Sequence, residues 1–163
     1  MFALQTARAL PPAELHAELL EQSRALLAGE RDRTANAANL AALLFHTLPD
    51  LNWAGFYWLR GGELVLGPFQ GKPACVRIAI GKGVCGTAVA ERRTIVVPDV
   101  NAFPGHIACD SASRSELVVP VAHAGSILGV LDLDSPRPGR FTEEDARGLE
   151  AVVRAFVEAT DLG

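Results

Sequence analysis

Cys109 lies in a stretch whose composition is typical of a polar loop. Residues 105–116 read GHIACDSASRSE and show neither strand-like alternation nor a helical apolar stripe. Glycine, aspartate and three serines are residues that favour turns and loops. A structural cysteine is usually a small buried hydrophobe, whereas a thiol on such a loop can meet solvent and substrate. We therefore single out Cys109 as a candidate reactive thiol.

Two further cysteines lie in different contexts, Cys75 in or beside a predicted strand and Cys85 after a Gly-rich turn. No pair of cysteines has the close spacing of a structural zinc motif, so we expect no metal. His106 stands three residues before Cys109, and a Cys3His zinc site is the alternative. Cys75 and Cys85, each taken alone, are also compatible with plain core positions. His106 and Arg114 are candidate cations beside the Cys109 thiol, or solvated loop residues.

Acidic side chains form a second group that could do chemistry. Asp132 and Asp134 are two residues apart in the strand-like GVLDLDS, so both point to one face of the sheet. Glu116 opens the preceding predicted strand and is placed to join them. Like charges this close are costly unless a cation meets them. Two interpretations follow: a strand that ends in solvent, or a site that binds an ammonium group or shares a proton.

An aromatic strand supplies the third group. In NWAGFYW, residues 52–58, Trp53, Gly55 and Tyr57 share one face, and the intervening residues take the other. Aromatic side chains at this spacing more often pack in a core than form a ligand cage. Gly55 between the two rings nevertheless predicts a slot suited to a small apolar group.

The elements that must position these groups are read from the patterns along the chain. Helices are predicted over residues 11–30, 31–50, 81–93 and 141–160, and strands over 51–60, 63–69, 74–80, 94–100, 115–123 and 126–135. Short turns between consecutive strands indicate hairpins, hence antiparallel pairing and an α+β fold. We expect the helices at the two chain ends to cover one face of a sheet of about six strands. The other face is then free for a pocket built by loops.

Composition limits the classes of function. The chain has 163 residues, of which 49% are hydrophobic and 21% charged, so we predict a single domain over residues 1–163 with a full core. The formal charge of −4 and the scattered basic residues argue against a nucleic-acid partner. The first residues lack the features of a signal peptide, and no apolar run approaches the length of a membrane span. We therefore expect a cytoplasmic protein with no membrane partner, in which the cysteines are not a disulfide scaffold.

Taken together, six stretches resemble the free methionine-(R)-sulfoxide reductases, which are small stand-alone GAF-domain enzymes. The stretches are NWAGFY, LVLGPFQGKPACVRI, GKGVCGTAVA, GHIACDSASRSELVVPV, GVLDLDS and GRFTEED. The resemblance covers the chain from about Asn36 through the last helix. It implies a GAF-like fold and reduction of free methionine (R)-sulfoxide to methionine.

The resemblance also implies a role for each cysteine. Cys109 matches the nucleophile, Cys75 the resolving thiol, and Cys85 an auxiliary thiol in the pocket region. On this reading Cys109 becomes a sulfenic acid and Cys75 condenses with it to a disulfide. A thioredoxin-type reductant then regenerates the thiols, with no bound cofactor.

The other two groups also acquire roles by resemblance. Glu116, Asp132 and Asp134 match the acids that hold the substrate's amino end and assist protonation, and Trp53 and Tyr57 match the wall around its methyl group.

Two other classes of function stay open at this point. One is a non-catalytic small-molecule-binding GAF module, which accounts for a pocket and leaves the thiols and acids unexplained. The other is a zinc-stabilised interaction domain. The sequence also leaves open whether the chain forms a homodimer.

Overall fold

The computed structural model describes residues 2–4 and 10–163, and the helices and strands in that part of the chain follow the predicted order. The helices are α1 (Pro12–Leu27), α2 (Arg33–Thr47), α3 (Gly83–Glu91) and α4 (Glu143–Ala159). The strands are β1 (Trp53–Arg60), β2 (Glu63–Gly71), β3 (Arg77–Ala79), β4 (Ile95–Val97), β5 (Ser115–His123) and β6 (Ser126–Ser135). A short 3-10 helix, Val100–Ala102, follows β4.

The strands form one sheet in the order β3-β2-β1-β6-β5-β4, with every neighbouring pair antiparallel. Gly61 and Gly62 make the β1–β2 turn, and Ala124 and Gly125 make the β5–β6 turn, all four with positive φ. Two central residues with positive φ are what a tight turn needs to match the twist of a hairpin. The prediction of an α+β fold with six antiparallel strands is confirmed.

Strand register brings the aromatic and acidic groups together. Trp53 of β1 pairs with Asp134 of β6, and Gly55 pairs with Asp132. Glu116 of β5 pairs with Asp134 from the other side. Because directly paired residues point to the same face of a sheet, the acids and Trp53 share one face. This is the face opposite the terminal helices.

Helices α2 and α4 pack on the strands of the other face, and α1 packs against α4 and α2, so the helices from the two chain ends lie together on that side of the sheet, as predicted. Phe56, Leu131 and Leu133, the neighbours of the pocket-facing residues along β1 and β6, are fully buried there with Phe156 of α4. Helix α4 begins with a capping box in which the side chains of Thr142 and Asp145 each accept a hydrogen bond from the other's backbone N–H group. Within the described ranges, none of the helices has the length and apolar content to span a membrane.

Helix α3 lies on the pocket face and carries Cys85. A side chain at Gly86 would overlap the backbone carbonyl of Ala79 at the end of β3, so only glycine permits this close approach. Cys85 is consequently buried against the sheet. The helix predicted over residues 81–93 is confirmed, with bounds Gly83–Glu91.

The strand predicted over residues 74–80 is shorter than expected, because β3 spans only Arg77–Ala79. The backbone carbonyl of Cys75 accepts a hydrogen bond from the Tyr57 hydroxyl at 2.9 Å instead of a partner in the sheet ladder. Cys75 therefore lies in the segment before the strand, over the pocket.

Candidate active site

A cavity lies between the sheet, α3 and two segments that cross its mouth, residues 72–76 and 103–114. It has a free volume of about 40 Å³, well below the few hundred Å³ of usual small-molecule pockets. Seven of the eight residues predicted to form a site line it: Trp53, Tyr57, Cys85, Cys109, Glu116, Asp132 and Asp134. The pocket is therefore formed but narrow in this structure.

The eighth residue, Cys75, is joined to Cys109 by a disulfide bond across the mouth of the pocket, with the two Cα atoms 5.5 Å apart. This confirms the pairing that the family resemblance implies. Both cysteines are partly exposed. A zinc site made of all three cysteines is incompatible with this form, because two of the sulfurs are bonded to each other.

The two aromatic residues hold the Cys75 segment in place. The indole N–H of Trp53 donates a hydrogen bond to the Lys72 carbonyl at 3.1 Å, and the Tyr57 hydroxyl donates to the Cys75 carbonyl at 2.9 Å. Trp53 and Tyr57 themselves are buried. They thus line the cavity and fix the backbone that presents Cys75.

The slot predicted at Gly55 is wrong. A side chain at Gly55 would overlap both Phe69, its partner on β2, and the ring of Trp53. The rings of Trp53 and Tyr57 stack with centroids 5.8 Å apart, and Trp53 also stacks on Phe69 at 5.2 Å. The space beside the glycine is filled by Cβ and the backbone of Phe69 and by the Trp53 ring, so glycine is needed here for close packing.

The loop that carries Cys109 is held by Asn52, which no pattern in the sequence singled out. Its side-chain N–H group donates to Asp110 at 3.2 Å and to the Ser113 hydroxyl at 3.0 Å. Asp110 also accepts from the Ala112 backbone N–H at 2.9 Å. That backbone hydrogen bond, with the one from Asn52, lowers the pKa of Asp110. The loop therefore has a fixed end beside the Cys109 sulfur.

The three acids converge in the cavity, so the interpretation of a strand running into solvent is wrong. Glu116 and Asp132 are each 6% exposed, and Asp134 is half-buried. Burial raises the pKa of all three carboxyl groups, and repulsion among the acids raises it further. Oδ1 of Asp132 is buried and accepts no hydrogen bond from the described residues. The cluster is suited to receive a cation or to retain a proton.

His106 has a different partner from the one considered in the sequence. Its Nε2 lies 3.4 Å from Oε2 of Glu116, at the acid cluster, and burial lowers the pKa of the imidazole. Arg114 is exposed, and its backbone N–H donates to the Ser135 carbonyl at 2.7 Å. His106 therefore contacts the acid cluster, and the backbone of Arg114 anchors the loop to β6.

Cys85 provides a test of these electrostatics. Its sulfur is buried 4.0 Å from Oε1 of Glu116, and burial followed by repulsion from Asp132 and Glu116 raises the thiol pKa. A raised pKa means less thiolate at a given pH. At pH 8 we expect iodoacetamide to alkylate Cys85 in the disulfide form on the order of 10² times more slowly than in denaturant. Mass spectrometry of timed samples measures both rates; similar rates would contradict a buried, protonated thiol.

Comparisons with known proteins agree with this geometry. The GAF domain family model matches residues 13–159. The free methionine-R-sulfoxide reductase of Escherichia coli is 55% identical over 140 residues, which are 86% of this chain and 85% of that one. The free methionine-R-sulfoxide reductase of Saccharomyces cerevisiae is 43% identical over 86% of this chain and 83% of its own. Among solved structures, free methionine-R-sulfoxide reductase from Neisseria meningitidis in complex with its substrate is 45% identical, covering 98% of this chain and 95% of that chain, with a TM-score of 0.93.

Proposed function

This chain belongs to the GAF-domain family of free methionine-R-sulfoxide reductases, and from that membership we propose that Cys109 reduces free methionine (R)-sulfoxide and that Cys75 resolves the oxidised thiol. The observation that carries the proposal is the Cys75–Cys109 disulfide at the mouth of a cavity lined by three acids. Such a bond is the product expected after one catalytic turnover. The choice of the R epimer follows from the family and not from a distance in the pocket.

The first chemical step uses both the Cys109 thiol and the carboxyl groups of the cavity. The Cys109 thiolate attacks the sulfoxide sulfur, and a carboxyl group protonates the oxygen as its bond to that sulfur weakens. The net exchange converts a thiol and a sulfoxide into a sulfenic acid and a thioether, so Cys109 gains the oxygen and methionine is released. Glu116, Asp132 and Asp134 have raised pKa values and are able to retain the proton that this step needs.

The second step closes the disulfide. The Cys75 thiol attacks the sulfenic sulfur of Cys109, an S–S bond forms, and the oxygen leaves as water. The hydrogen bonds from Trp53 and Tyr57 hold the Cys75 segment where this attack takes place. Since the disulfide form leaves only about 40 Å³ free, the Cys109 loop must move when the bond is reduced so that the next substrate can enter.

Recycling requires a dithiol from outside the chain. We assign this to a thioredoxin-type protein acting in the cytoplasm, where a reducing thiol supply is maintained. The partial exposure of both sulfurs supports direct exchange with such a partner. The exchange yields the two protein thiols and the partner's disulfide.

A stoichiometric experiment tests the proposed function. Reduced protein, freed of reductant, is mixed with free methionine (R)-sulfoxide, and methionine formed is counted against thiols lost. We expect one methionine for each pair of thiols, with Cys85 still reduced. The protein with its disulfide closed is the matched control and should form none. Thiol loss without methionine would contradict a reductase and favour a binding module that oxidises incidentally.

A further inference from the structure

The buried donor atoms behind the disulfide resemble a cation site in their chemistry. Oxygen atoms of Glu116 and Asp132 and the sulfur of Cys85 all lie within 4.8 Å of one another, and all three residues are buried. His106 lies beside this group, with its ring nitrogen 3.4 Å from the second oxygen of Glu116.

One of these donors has no partner within the described part of the chain. Oδ1 of Asp132 is buried and receives no hydrogen bond there, and an unpaired buried carboxylate oxygen is costly. Asp132 and Glu116 also place two carboxyl groups together in the buried cluster, and like charges this close repel each other. A divalent cation among them would remove both penalties and would reverse the local effect on the Cys85 thiol.

The distances suit one class of ion. Tetrahedral zinc, with Zn–S of about 2.3 Å and Zn–O of about 2.0–2.2 Å, places sulfur and oxygen ligands about 3.6 Å apart. The structure has 4.0 Å between Cys85 Sγ and Glu116 Oε1, and the Asp132 oxygen lies within 4.8 Å of both groups. A thiol donor selects zinc-class ions, whereas magnesium and calcium prefer oxygen alone.

We propose that Cys85, Glu116 and Asp132 bind a zinc-class divalent cation, and that this ion competes with the amino group of the substrate. Coordination displaces the thiol proton of Cys85 into solvent. The cavity of about 40 Å³ has room for an ion and a water, since a water needs roughly 10–15 Å³. It reaches the surface beside the exposed residues Pro73 and Ile107. The inhibitory part rests on the proposed function, whereas binding of the ion does not.

The disulfide form allows an unambiguous binding test. Of the three cysteines in the sequence, Cys85 is the one thiol left when Cys75 and Cys109 are joined. Cadmium chloride is titrated into this form, and the sulfur-to-cadmium charge-transfer absorbance is recorded. We expect saturation at one equivalent of Cd²⁺. Cys85→Ser should abolish the band, and Asp132→Asn or Glu116→Gln should weaken binding at least tenfold.

Glu158→Gln, which neutralises an exposed acid on α4, is the matched control and should leave the cadmium titration unchanged. Circular dichroism of each variant shows whether the fold is retained. A folded protein that gives no charge-transfer band, or a band that both acid variants leave unaltered, would overturn the proposed site.

The competition is tested separately with zinc chloride on the reduced enzyme. We expect Zn²⁺ to raise the KM for free methionine sulfoxide at least tenfold while kcat at saturating substrate stays constant, and EDTA to reverse the effect. A fall in kcat at saturating substrate would place the inhibitory ion on Cys109 and refute the competition. If the reductase activity itself is absent, the cadmium titration still decides whether the site exists.

Discussion

Replacing Cys109 by serine is expected to reduce the rate of methionine formation by at least about a thousandfold, because a serine hydroxyl cannot act as the sulfur nucleophile. The serine also cannot accept the oxygen as a sulfenic acid. The change removes a disulfide and leaves the sheet and α3 untouched. Methionine release from free methionine (R)-sulfoxide, followed by chromatography with dithiothreitol as reductant, measures the effect.

Ser111→Ala, a change on the same exposed loop, is the matched control and should keep the parent rate. Cys75→Ser separates the two steps of the cycle. It should release one methionine per chain in a burst and then recycle poorly with thioredoxin, because Cys109 is left as a sulfenic acid that lacks its partner. If Cys109→Ser turned over at the parent rate, another thiol would have to be the nucleophile.

The sequence predicts the parts of the site that follow from strand periodicity. Alternation along β6 placed Asp132 and Asp134 on one face, and alternation along β1 placed Trp53 and Tyr57 together; the register joins these two sets on one side of the sheet. A period of two survives in any strand, whichever partner it takes, because it is a property of the extended backbone. Short turns between consecutive strands likewise predicted the antiparallel hairpins.

Contacts between segments that are distant in sequence could not be predicted in this way. The prediction of a slot at Gly55 failed because part of the space is filled by Phe69, which belongs to β2, and the sequence of one strand does not show what the neighbouring strand places beside it. His106 was considered with Cys109, three residues away, but it faces Glu116 on β5. No pattern in the sequence pointed to Asn52, because its hydrogen bond to Asp110 joins the start of β1 to a loop that is distant in sequence.

The second large effect concerns the substrate's amino group. The pocket holds three acids, which an ammonium ion relieves of mutual repulsion and a neutral amide does not. We expect N-acetylmethionine (R)-sulfoxide to be reduced with a kcat/KM lower by on the order of 10²–10⁴ than that of the free amino acid, since a buried polar site rejects a ligand that leaves it unpaired. Equal values for the two compounds would remove the binding role given to the carboxyl groups.

The pH dependence follows from the direction of the pKa shifts. Glu116, Asp132 and Asp134 all have pKa values raised by burial and by one another. An acid must be ionised to pair with the ammonium, so KM should fall as the pH rises through these raised pKa values. One carboxyl must keep its proton to protonate the sulfoxide oxygen, so kcat should fall once that proton is lost. The profile of kcat/KM against pH is therefore expected to be bell-shaped, and a flat profile would contradict proton delivery from the cluster.

Asp132→Asn and Asp134→Asn should each raise the KM for free methionine (R)-sulfoxide by about tenfold or more if these carboxylates pair with the ammonium, because each change removes a negative charge from the cluster. The same change should reduce the ratio of kcat/KM for the free amino acid to kcat/KM for the N-acetylated compound, whereas a loss of fold would not change that ratio.

The stability of the two asparagine variants is the control. A carboxyl whose pKa is raised on folding stabilises the protein below its unfolded pKa, and this contribution is lost as the pH rises through the folded pKa. Near neutral pH the buried acids therefore cost stability, and the asparagine variants should melt no lower than the parent. Thermal unfolding followed by circular dichroism tests this, and a melting temperature well below that of the parent would show that these aspartates support the fold and not the substrate.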